Sequence, residues 1–103
     1  MGLLILGTVP DYSTFGTNAL ITFRNSCVES IGVDRGNAAL YRLLADHTDR
    51  LIDAYHQVPL DSDIARKDFE HFRSLVAAAA NAADQTAEQQ VEALNSIAAA
   101  DFF

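Results

Sequence analysis

The chain has 103 residues, half of them hydrophobic, with seven Lys and Arg against 14 Asp and Glu and a formal charge of −7. That length makes a single domain, 1–103, and its content of Leu, Ile, Val and Phe excludes wholesale disorder. The charge argues against nonspecific attraction to nucleic acid or anionic lipid, and no stretch approaches the roughly 20 apolar residues of a membrane span.

The chain opens on a continuous apolar run, Leu3 to Val9, closed by Pro10-Asp11. Periodicity alone does not separate a buried strand from a short helix here. No second convincing strand exists to pair with it, so residues 1–12 read as an apolar arm or short helix packed on the body. The run is too short and lacks the basic residues of a secretory signal, and Leu6 stands where a myristoylation pattern needs Ser or Thr. The expected location is cytoplasmic.

The helical body occupies residues 13–103. A first helix is expected to begin after Ser13 or Thr14, whose hydroxyls accept orphan amide hydrogens. Phe15, Ala19, Phe23, Cys27 and Ile31 recur every four residues on one face, and Gly32 reads as a left-handed stop. A second helix opens near Asp34 or Asn37 and runs to about His56, with Pro59 beyond it. Its stripe is Leu40, Leu43, Leu44, His47, Leu51, Ala54, Tyr55 and Val58.

Asp61-Ser62-Asp63 starts a third helix, placing acceptors and negative charge where a helix N-terminus favours both. Its inner face is Ile64, Phe69, Phe72, Leu75, Val76 and Ala79, with Asp68 close by. Asn81 to Asp84 break or bend the alanine-rich segment. Thr86 with Gln89 fits a capping box, which favours a separate fourth helix over about 86–100. Asp101-Phe102-Phe103 then ends the sequence. Short loops between amphipathic helices define an all-α antiparallel bundle of three to four helices. A single long terminal helix paired with its copy in a dimer is the alternative.

Chemistry-bearing patterns are sparse. Asp46, Asp49, Asp53 and His56 follow at three-, four- and three-residue spacing, within about 80° of one another on a helix. Acid-x-x-His spacing is one way that helical bundles present metal ligands, and a metal-binding or enzymatic alternative would use Asp53, His56 and His71. Yet this ridge lies nearly opposite the leucine stripe, and Arg42 and Arg50 flank Asp46 at pairing distance, so a solvated face is expected. His47 falls inside the apolar stripe and reads as a core histidine. If it lay at a subunit interface, its titration would make assembly pH-sensitive. Asp68 reads as a paired inner carboxylate.

Cys27 is the lone cysteine, so no intramolecular disulfide is possible, and its apolar face makes it a small core residue. Gly2 to Thr8 lacks the lysine of a phosphate-cradling loop, and Gly32-Val33-Asp34-Arg35-Gly36 reads as a turn. The seven bases are scattered, so direct nucleic-acid binding is not expected.

No catalytic motif or cofactor site emerges, and no enzymatic activity is expected. The excess of small-residue packing surface in Ala77–Ala80, Ala82, Ala83 and Ala98–Ala100 points to protein–protein interaction. This takes the form of self-association, with a dimer favoured, or of binding and regulating a partner, for which a basic protein suits the charge. The expected contact residues are Asp46, Asp49, Asp53, Ala79, Ala83, Val91, Leu94, Phe102 and Phe103. A repeating subunit of a larger assembly, of phage or mobile-element type, is a further alternative.

Overall fold

A computed structural model describes residues 3–11, 15–57 and 62–102. The chain is a small all-α antiparallel bundle of four helices: α1 (Thr17–Val33), α2 (Ala38–Gln57), α3 (Ser62–Ala83) and α4 (Ala87–Phe102). No strand occurs among the described residues. Ser13, Thr14, Pro59 and Asp61, expected to mark helix ends, the stripe residue Val58 and Phe103 lie outside the described residues.

The apolar opening run forms a short 3-10 helix, Leu4–Thr8, closed by the Thr8 hydroxyl donating to the Ile5 carbonyl at 2.8 Å. Leu3 and Ile5 are buried, and the segment packs on α1 of its own chain. Hydrophobic burial, at about 25 cal/mol per Å² of apolar surface, draws it there.

Helix α1 starts at Thr17 rather than after Thr14. Gly16 holds an extended conformation ahead of it, and the Gly16 carbonyl accepts the Leu20 amide at 2.9 Å. Gly32 is not a left-handed stop. It lies inside the helix, and no described glycine has positive φ. The helix instead ends at Asp34, whose amide donates to the Ser30 carbonyl at 2.8 Å. Thr22, Ser26 and Ser30 each return their hydroxyl to the carbonyl four residues back, at 3.1, 3.1 and 2.7 Å. That satisfaction lets Ser30 be buried without an orphaned donor.

The Asp34 carboxylate organises the turn into α2, which includes a 3-10 segment at Arg35–Asn37. It accepts from Asn37 Nδ2 at 3.0 Å and from the Tyr41 hydroxyl at 2.7 Å. These two hydrogen bonds, Asn37's first, hold its carboxyl below the ordinary aspartate range.

Helix α2 is the centre of the bundle, packed most extensively on α1 and also touching α3 and α4. Its buried arc is correspondingly wider than the leucine stripe. Leu40, Leu44, His47 and Leu51 are joined inside by Tyr41, Ala45 and Thr48, whereas Ala54 is exposed. Thr48 tolerates complete burial because its hydroxyl donates to the Leu44 carbonyl at 2.7 Å.

Helix α3 buries Phe69, Phe72, Leu75, Val76, Ala79 and Ala82. Ile64 was expected on this face but is 45% exposed. The alanine segment does break. Asp84 and Gln85 donate to the Asn81 and Ala82 carbonyls at 3.3 and 3.1 Å, and α4 begins at Ala87. The Thr86 hydroxyl accepts the Gln89 amide at 3.4 Å, one half of a capping box. Gln90 closes the corner from the other side, its Nε2 donating to the carbonyls of Ala83 at 3.4 Å and Gln85 at 3.2 Å.

Candidate functional site

The aspartate ridge of α2 is partly engaged within the chain. Arg42 Nε lies 3.5 Å from Asp46 Oδ1, one turn apart on the helix. Arg24 of α1 reaches across to Asp49, with Nε 3.0 Å from Oδ1. All four side chains are substantially exposed, Arg42 most of all, so each pair contributes less than about 1 kcal/mol. Asp53 is exposed on the same ridge. The His56 side chain lies outside the described residues. Among the described residues, no group of three or more His, Cys, Asp or Glu is arranged to hold a metal ion. His71 turns instead towards His47.

The two imidazoles meet between α2 and α3, ring centroids 5.4 Å apart and planes at 67°. His47 is 7% exposed and lies 6.3 Å from the Phe72 ring, near parallel at 21°. Burial lowers its pKa from 6.5 to about 4, and the charges of His71 and Arg50 act in the same direction, outweighing Asp68. His47 is therefore a neutral core residue at physiological pH, inside the chain rather than on its surface. Asp68 is half-buried near it.

Cys27 is fully buried on α1, and desolvation pushes its thiol up to about 12. A thiol so protonated is a poor nucleophile.

The alanine-rich surface divides in two. Ala79 and Ala82 lie in the chain's own core, Ala83 is half-buried against it, and Ala77 and Ala78 face solvent. Ala79 thus offers no surface in this fold. On α4, Leu94 packs against the core while Val91 stands 56% exposed. The Phe102 side chain lies outside the described residues, as does Phe103. A shallow groove of about 240 Å³ runs between the N-terminal segment and α3, lined by Val9, Arg73, Val76, Ala77 and Ala80.

The surface that the four-residue rhythm of α1 conceals is the helix's opposite side. Ile21, Val28 and Val33 are 37%, 47% and 78% exposed. Asn18, Ile21, Asn25, Val28 and Gly32 follow at alternating three- and four-residue spacing and all face outward. Thr22 and Glu29 flank them on one edge and Arg24, paired with Asp49, on the other. The signal was present in the sequence as a second three–four series offset from the Phe23–Cys27 stripe. Compared with protein-family models, curated proteins and solved structures, the chain matches none.

Proposed function

We propose that this protein works through protein–protein contact, and that its first partner is a second copy of itself. The observation that carries the reading is the outward side of α1, where Ile21 and Val28 sit one heptad apart among uncharged Asn18, Thr22, Asn25 and Gly32. On a chain of charge −7, copies repel one another least where charge is scarce. Three–four spacing of small and apolar residues is the seam geometry of paired helices, and asparagine in such a seam fixes register. In an antiparallel two-fold pair, Ile21 of one copy faces Val28 of the other and the reverse, as an isologous contact requires. Val91 of α4 and the exposed Asp53 remain outside that contact and suit a further, basic partner.

Sedimentation equilibrium over a hundredfold range of concentration tests this reading. The native chain is expected to reach twice its 11.2 kDa mass. The double variant Ile21→Glu, Val28→Glu is expected to stay at the monomer mass with its helical signal intact. A native chain that remains monomeric at every concentration overturns self-association.

A further inference from the structure

The α3–α4 hairpin docks on the α1–α2 hairpin through a few rings. Phe72 lies edge-on to Phe23 of α1 at 5.1 Å and beside His47 of α2 at 6.3 Å. Phe69 lies edge-on to Phe15 at 5.1 Å, and Phe15 meets Tyr55 of α2 at 5.7 Å. Within each hairpin the packing rests on groups that do not titrate near neutrality. Leu20, Phe23, Cys27, Leu40 and Leu44 serve the first, and Ile97, Leu94 and Gln90 the second. The contact between hairpins differs because it includes two imidazoles. Facing His47 are Arg50 on its own helix and His71 and Asp68 on α3.

We propose that the His47–His71 pair is an acid-sensitive latch, closed when His47 is neutral, whose protonation releases the α3–α4 hairpin from the α1–α2 hairpin. A proton on His47 places a cation on a buried side chain, with the Arg50 guanidinium nearby and an imidazole 5.4 Å away, opposed by the Asp68 carboxylate. Desolvated charge in that setting is costly unless fully paired. The sign follows from linkage. The released form binds the proton at an ordinary histidine pKa and the docked form only near pH 4, so docking weakens as pH falls between the two. The docked-to-released ratio is expected to drop on the order of a hundredfold across that window. Release uncovers the Phe15, Phe69 and Phe72 rings as an apolar surface.

The test is small-angle scattering and circular dichroism of the full chain between pH 7 and pH 4. The expected result is expansion beyond the 13.3 Å radius of gyration with far-UV helicity kept and near-UV aromatic signal lost. His47→Gln and His47→Leu are expected to stay compact at pH 4.5, and His71→Gln, which removes a charge that opposes His47 protonation in the docked form, to move the native transition to lower pH. Expansion of the His47 variants at the native pH, or loss of helicity in the same step as expansion, overturns the latch. Should neither His47 variant fold, an unmoved transition in His71→Gln overturns it.

Discussion

Phe72 of α3 meets Phe23 of α1 edge to face, ring centroids 5.1 Å apart and planes at 76°. Such a pair adds about 0.5–1.5 kcal/mol beyond the area it buries. Phe72 is 1% exposed, so Phe72→Ala leaves a cavity and is expected to cost about 3–5 kcal/mol. On a domain of this size that corresponds to a melting-temperature fall of more than about 10 °C, read by circular dichroism. A fall under about 5 °C would show that the ring is not central to docking.

The thiol of Cys27 gives a second check. With its pKa pushed up to about 12 and no solvent contact, it is expected to resist iodoacetamide at pH 8 in the native chain. Intact mass should show no adduct before denaturation and one adduct after it. Rapid native alkylation would mean that α1 is not packed as described.

At the head of α2, Tyr41→Phe removes the hydroxyl that donates to Asp34 at 2.7 Å. The Asp34 carboxyl is expected to titrate at higher pH in the variant, measured by carbon-detected NMR. Because its folded pKa lies below the ordinary 3.8, Asp34 contributes stability that is present above that value and lost as pH falls through the folded pKa. The variant should therefore show a shallower acid loss of stability. Identical Asp34 titrations in the two proteins would refute the role of the hydroxyl.

Ile97 is the one buried side chain of α4 among the described residues. Ile97→Ala is expected to cost about 2–5 kcal/mol of α4 docking. Hydrogen exchange should speed up across α4 first, while the α1–α2 amides keep their protection. Uniform acceleration through all four helices would indicate a single cooperative unit instead.

Much of the fold was legible because local chemistry and packing agreed. Thr86 and Gln89 marked the start of α4, and the Phe69–Phe72–Leu75–Val76–Ala79 series marked the inner side of α3. Readings failed where the deciding fact was tertiary. Ala45 and Thr48 are buried because α2 touches three helices, a property that no window of its own residues encodes. Gly32 resembled a stop, yet the chain leaves α1 through Asp34, whose carboxylate bonds to Asn37 in the turn and to Tyr41 on α2. The exposed Ile21 and Val28 were visible only after the first apolar stripe had been assigned to the core. Ala79 read both as inner side of α3 and as a contact surface, because alanine gives little hint of which partner a helix face meets, and it lies in the chain's own core.

The order of helices along the chain governs how quickly it reaches this arrangement. Each helix packs heavily on one that adjoins it in the sequence, α1 on α2 and α3 on α4. Bringing such neighbours together closes only short loops, so little chain entropy is lost before contacts form. Helical topologies of this kind reach the native state in microseconds to milliseconds. The Phe23–Phe72 contact joins residues far apart in the sequence and therefore closes a longer loop than the contacts within either helix pair.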